Sequence, residues 1–155
     1  MKKLLPIFVL ALAVTVAAQK PPKGFFVEYD KFTDETEVSF LDYDSAFAAA
    51  WFTYKGKTLD SDVETFLLTF DGRRCDGYCF NDPELIFLID GERTLLPKLS
   101  RVLSDSATFP ISRDLMARLI AAKKIEYRVG RFEAEWKEKL RAKLKTLLDL
   151  GTVKK

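Results

Sequence analysis

Histidine is absent from the 155 residues of the chain. That one absence removes the commonest general base, the Ser-His-Asp and Cys-His arrangements, and most zinc sites. Cysteine occurs only at Cys75 and Cys79, and a metal held there would need two more soft or nitrogen ligands, which the sequence does not supply. No glycine-rich phosphate loop, internal repeat or low-complexity tract is present. After residue 18 no apolar run reaches the roughly 20 residues that span a bilayer as a helix. An excess of one charge is lacking too. The formal net charge is +2, and without Lys2 and Lys3 the 23 remaining Lys and Arg equal the 23 Asp and Glu.

What is present begins with an export signal. Lys2 and Lys3 precede a nearly unbroken apolar run from Leu4 to Ala18, ending in the small residues Val16-Ala17-Ala18. A basic start, an apolar run of this length and a small-residue end are the marks of a secretory signal peptide, with cleavage expected after Ala18. No Cys lies near that point to carry a lipid anchor. The expectation is an exported protein, periplasmic or extracellular, without stable membrane insertion once residues 1–18 are removed. The 155 residues less those 18 leave 137, the size of one domain with a real core. Residues 19–24, with Pro21-Pro22, read as an extended leader, 25–150 as a single globular domain and 151–155 as a tail.

Period-2 patterning dominates the domain. Phe25, Val27 and Tyr29 alternate in one strand and Val38 and Phe40 in the next, with Thr33-Asp34-Glu35 as the turn between them. Ala46 to Tyr54 holds four alanines, which favour helix, yet Phe47, Ala49, Trp51 and Thr53 alternate against Ala48, Ala50 and Phe52, and strand is the reading adopted. Asp62 to Phe70 reads as strand, and Leu85 to Ile89 with Asp90-Gly91 and Arg93 to Leu96 as a hairpin. Leu99 to Leu103 reads as one more short strand.

The closing stretch, 109–150, reads as helix, hairpin, helix. Ser112 is a good N-cap ahead of Leu115, Met116, Leu119 and Ile120. Ile125, Tyr127 and Val129 alternate, Gly130-Arg131 turns, and Phe132, Ala134 and Trp136 alternate again. Trp136, Leu140, Leu144, Leu147 and Leu148 then form a helical apolar stripe that ends at Gly151, a natural residue after a helix terminus. Glu133 with Lys137 and Glu135 with Lys139 would support each other if the helix starts early. The fold class expected is α+β, mainly antiparallel and sandwich-like, with a short helix, a β-hairpin and an amphipathic C-terminal helix.

Charge is unevenly spread. Residues 19–110 carry 10 basic and 17 acidic groups, and residues 111–155 carry 13 and 6. Lys139, Arg141, Lys143 and Lys145 crowd the polar side of the last helix. Only Trp136 is aromatic there, and it belongs to the apolar stripe, so docking on the sheet is expected rather than a nucleic-acid or membrane surface.

Cys75-Asp76-Gly77-Tyr78-Cys79 is a loop that a disulfide can close in an oxidising compartment, contributing on the order of 2 kcal/mol in the chain-entropy model. Redox chemistry usually uses two intervening residues, and free thiols are the remaining alternative. Arg73, Arg74, Tyr78 and Phe80 in that loop are candidate partner contacts, because Arg grips anions bidentately and aromatic groups favour interfaces. The acids Asp30, Asp34, Glu35 and Glu37, and the row Asp60-x-Asp62-x-Glu64, could do glycosidase-type work if two of them faced each other across a cleft. The plainer reading is solvated turns and strand edges. Asp60-x-Asp62-x-Glu64 lacks the Gly and the distal Glu of a calcium loop.

Tyr29-Asp30-Lys31-Phe32-Thr33-Asp34-Glu35-Thr36, and later Ala121-Ala122-Lys123-Lys124-Ile125-Glu126-Tyr127-Arg128-Val129-Gly130, resemble a loose group of small exported bacterial proteins of unassigned function. The resemblance spans most of the chain after residue 18 and implies a compact secreted domain with no known activity, so no catalytic residue is carried over from it. The cysteine pair lies outside it. Two functional classes follow as expectations. The first is a non-catalytic exported domain that binds a protein or envelope component. The second is a histidine-free hydrolase with paired carboxylates. No catalytic residue, cofactor or metal is assigned, and the oligomeric state is left open.

Overall fold

The computed structural model describes residues 20–42, 46–72, 84–96, 102–103 and 106–153. Its elements in chain order are β1 (Phe25–Asp30), β2 (Glu35–Leu41), β3 (Phe47–Lys55), β4 (Thr65–Asp71), β5 (Leu85–Ile89), β6 (Glu92–Leu95), β7 (Val102–Leu103), β8 (Ser106–Ser112), α1 (Arg113–Ala121), β9 (Ile125–Val129), β10 (Phe132–Glu135) and α2 (Glu138–Leu150). The strands form two antiparallel sheets. The larger runs β1-β2-β3-β4-β8, extended by the two-residue β7, and the smaller runs β10-β9-β5-β6. The fold is α+β and sandwich-like, as the sequence predicts.

The two sheets meet through aromatic side chains. Phe70 of the larger sheet lies 5.4 Å, centroid to centroid, from Tyr127 of the smaller one. Trp136 touches Phe47 at 6.0 Å, Phe87 at 5.0 Å and Tyr127 at 6.0 Å, which joins both sheets at the entrance to α2. The Trp136 contacts with Phe47 and Phe87 are edge-to-face, an arrangement that ring quadrupoles favour, and the two contacts of Tyr127 are tilted. The rest of the larger sheet's inner face is covered by the helices. Leu140, Leu144 and Leu147 of α2 and Met116 and Leu119 of α1 are buried in the same cluster as Phe40, Phe52 and Phe66.

The local signals behave as chemistry requires. Ser112 Oγ accepts from Leu115 N at 3.2 Å and caps α1. Asp90 and Gly91 both adopt positive φ, the mirror-image turn that suits the twist of β5 and β6. The Asp90 carboxylate also accepts from Lys123 N at 2.9 Å and Lys124 N at 2.8 Å, tying that turn to the end of α1.

Several expectations need correction. Residues 106–112 form β8, a strand against the whole of β4, where the sequence reading begins a closing unit at Phe109. Pro110 is tolerated because residues 109 and 111 bond β4, so that the nitrogen of residue 110 faces away from it. The hairpin within that closing stretch is present as expected, and through β9 it also pairs with β5 and completes the smaller sheet. The strand alternation in β3 breaks at a register shift between Phe47 and Ala49, so Phe47 joins Ala50 and Phe52 in the core. Strand β4 begins at Thr65 rather than Asp62. Helix α2 begins at Glu138, so Glu133 and Glu135 lie on β10 and form no helical pair with Lys137 or Lys139.

Gly151 has φ −84, not a left-handed value. The reason for glycine there is space. A Cβ would stand 3.2 Å from the Phe66 ring and from Val63. Trp136 and Leu140 are buried, as a docked helix requires. Of the cations expected to face water, Lys139 is exposed. Arg141 instead donates to Ala122 O, and Lys143 pairs with Asp42 at 2.9 Å and lies 5.4 Å over the Phe40 ring.

Candidate functional site: the first hairpin and the outer face of the larger sheet

Large apolar side chains are rarely left in water without a use when they gather in one place. Among the described residues seven are exposed: Phe26, Val27, Tyr29, Phe32, Leu41, Leu88 and Leu95. Five of these belong to β1, β2 or the turn between them. Phe32, at the tip, is 88% exposed.

The geometry follows from strand alternation. In β1, Phe25 faces the core and stacks against Phe40 at 5.3 Å, whereas every later residue of the strand is exposed. Val27 and Tyr29 share the inner side with Phe25 but extend past the elements that cover it. Phe26, Glu28 and Asp30 share the outer side. The register then sets Phe26, Ser39, Trp51, Leu67 and Pro110 in one row across the outer face. Beside it Leu41, Ala49, Thr69 and Thr108 form a second row, with the two threonine hydroxyls 3.0 Å apart.

Toward the turn the same face becomes acidic. Glu28 stands opposite Glu37 and Asp30 opposite Glu35. Like charges directly opposite on an antiparallel pair are destabilising. Lys55 offsets one of them, with Nζ 2.9 Å from Glu35. No cation is paired with Glu28 or Glu37 among the described residues.

The turn is built by its acids. Asp30 accepts from Phe32 N at 2.8 Å, and Asp34, at φ 54, accepts from the Tyr29 hydroxyl at 2.8 Å. The Asp34 carboxylate, with burial and the charge of Asp30 in support, holds the Tyr29 phenol above its ordinary pKa. Lys57 Nζ lies 4.8 Å from the Tyr29 ring centre. Asp30, Asp34 and Glu35, singled out as candidate catalytic acids, thus have structural partners.

The second acidic row is also structural in part. Asp62 accepts from Val153 N at 2.8 Å and lies 3.7 Å from the Arg113 guanidinium. Arg113 in turn donates to Val63 O at 2.8 Å and Gly151 O at 3.1 Å, so this cluster fastens the ends of α1 and α2 to the start of β4. Asp60, Asp62 and Glu64 line an open groove of about 530 Å³ beside Thr53 and Lys55. Another groove, of about 390 Å³, lies on the outer face of the smaller sheet. Ile86 and Leu88 form its floor, and Glu126 and Glu135, opposite each other, line it. Lys124 Nζ is 3.0 Å from Glu126, and that carboxylate raises the lysine's pKa. Neither groove holds a nucleophile–base pair, and no group of three metal-ligating side chains occurs among the described residues.

Cys75 and Cys79, with the contact candidates Arg73, Arg74, Tyr78 and Phe80, lie outside the described residues, as do residues 1–18. No described helix is long and apolar enough to cross a membrane. Reading the sequence for loops missed Phe26 and Phe32. The available signal was Phe25-Phe26: two aromatic neighbours in a strand cannot share one face, so one must leave the core. The chain matches no family model, no curated protein and no solved structure.

Proposed function

We propose that this chain is a small exported, non-catalytic domain that binds another protein through its first hairpin. The observation that carries the reading is the gathering of Phe26, Val27, Tyr29, Phe32 and Leu41 in water on one hairpin, while no other aromatic group among the described residues is exposed. Amphipathic aromatic groups on a sheet edge give large contact area at small entropic cost. The signal-like segment 1–18 supports delivery to the periplasm or the medium, where Cys75 and Cys79 would close a local disulfide. The resemblance to small exported bacterial proteins supports the same destination. A histidine-free hydrolase is the weaker reading, because Asp30 and Asp34 already hold the hairpin turn and Asp62 holds Val153 in place.

The test uses the secreted protein and a Phe26→Ser, Phe32→Ser variant as baits against the native envelope and medium. A protein retained by the first and released by the second is expected. Equal retention by both baits, with both shown folded by thermal melt, would refute the hairpin as the binding site. Intact mass of the secreted form is expected to begin at Gln19, with no free thiol.

A further inference from the structure

We infer that β1 accepts an added strand from the partner, and that this strand is basic on alternate residues. The inference rests on the hairpin being the binding site and goes on to name the occupant. Among the described residues four strands lie at sheet edges, and they differ. β7 has two described residues, β6 and β10 have four each, and β1 has six. Edges are ordinarily blunted by shortness, proline, charged side chains or a bulge. Within its six residues β1 has no proline or bulge, its pairing with β2 is regular from end to end, and its only charges, Glu28 and Asp30, are acidic and so repel acidic strands but not basic ones.

The backbone of β1 is aimed for addition. Phe25 N donates to Pro22 O at 3.0 Å, in a turn where Gly24 has φ +88, rather than to β2. In an antiparallel ladder, residues alternate between bonding the neighbour and facing away from it. Val27 and Tyr29 therefore direct their N–H and C=O groups to the open edge. Both side chains are exposed as well. An added strand would gain main-chain hydrogen bonds from these two residues and apolar contact with Val27 and Tyr29 on one side. On its other side it would meet Phe26, Glu28 and Asp30.

Charge selects the occupant. Among the described residues Glu28 and Glu37 face each other without a paired cation, and Asp30 and Glu35 extend the same band. A second copy of this chain would set that band beside itself, which disfavours self-pairing. A strand with lysine or arginine on alternate residues would relieve the repulsion within β1–β2 and gain steering from its charge. Specificity then lies in the pattern, apolar on one side and basic on the other, not in net charge alone.

The probe is a blocked ten-residue peptide of alternating valine and lysine, titrated against the secreted protein by NMR. Three peptides accompany it: the same composition with the lysines in one block, glutamate in place of lysine, and alternate backbone nitrogens methylated. The alternating peptide is expected to shift the Val27 and Tyr29 amides and to bind at least about ten-fold tighter than the other three, the scale of one or two net hydrogen bonds. A Val27→Pro protein keeps its ladder with β2, because that N–H faces outward, and is expected to lose the peptide. Glu28→Gln with Glu37→Gln is expected to weaken binding and flatten its salt dependence. Equal affinity for the block and alternating peptides would overturn the strand-addition inference. So would Val27→Pro protein that binds as the parent does. If Val27→Pro retains the native partner while Phe26→Ser, Phe32→Ser releases it, the hairpin site stands and strand addition falls. If both variants retain it, the two readings fall together.

Discussion

The hairpins β1–β2 and β9–β10 have much in common. Each is antiparallel, turns through a residue at positive φ and ends a sheet, β1 in one and β10 in the other. In β9, Ile125, Tyr127 and Val129 are buried while Arg128 is exposed. In β1 the same alternation holds only at Phe25, after which Val27 and Tyr29 stand in water beside Glu28 and Asp30. The difference comes from what lies above each pair. Phe70 and Trp136 cover β9, whereas β1 extends beyond the reach of the smaller sheet and of α2. Alternation shows that a strand has two faces, and only the neighbouring layer decides whether one is buried.

Substitutions on the two sides of that contrast are expected to differ in cost by about an order of magnitude. The largest effect is expected at Trp136, whose ring closes the sandwich over Tyr127 and Phe87. Trp136→Ala should cost on the order of 3–5 kcal/mol in urea unfolding, as large-to-small core changes do. A variant as stable as the parent would remove the case for a core that depends on residues 109–150. Gly130→Ala comes next. At φ 56 an alanine is strained, and a loss of about 1–2 kcal/mol is expected. Phe32→Ser in the first hairpin should move stability by no more than about 0.5 kcal/mol, since its ring lies in solvent. A large loss there would mean that the hairpin is held by contacts like those of β9–β10.

The smallest effect concerns charge. Tyr29 donates to Asp34, and the folded hairpin favours the neutral phenol. The folded pKa is raised, so this contribution is whole below the unfolded value and is lost as pH rises through the folded one. Tyrosine-selective NMR titration should find Tyr29 ionising above its ordinary value. Asp34→Asn, which tolerates the left-handed backbone, should bring it back down. An unchanged titration would remove Asp34 as the cause.

Much of the fold was readable from the chain. Asp90-Gly91, Gly130 and Ser112 acted as the local rules say, because turns and caps are settled within a few residues. Strand β8 was hidden in the sequence because it runs through Pro110, and only its pairing with β4 shows that the nitrogen of that residue faces away from the ladder. Phe47 was assigned to the wrong face for a similar reason: the bulge that reverses it is a response to β4, not a property of its own segment. The hairpin surface was hidden because Phe26 and Phe40 are chemically alike, yet one is half exposed and the other fully buried.

The sequence by itself determined the absence of histidine chemistry, the period-2 body, the two helices and their apolar sides. Those properties depend on residue type and on spacing over a few positions. Tertiary structure alone decided that β9, besides pairing with β10 in its hairpin, pairs with the distant β5. It alone decided that Arg113 and Asp62 tie α1, α2 and β4 together, and that the first hairpin outruns its covering layer. Each of these joins groups tens of residues apart, and no local pattern records which distant surface will, or will not, arrive to exclude water.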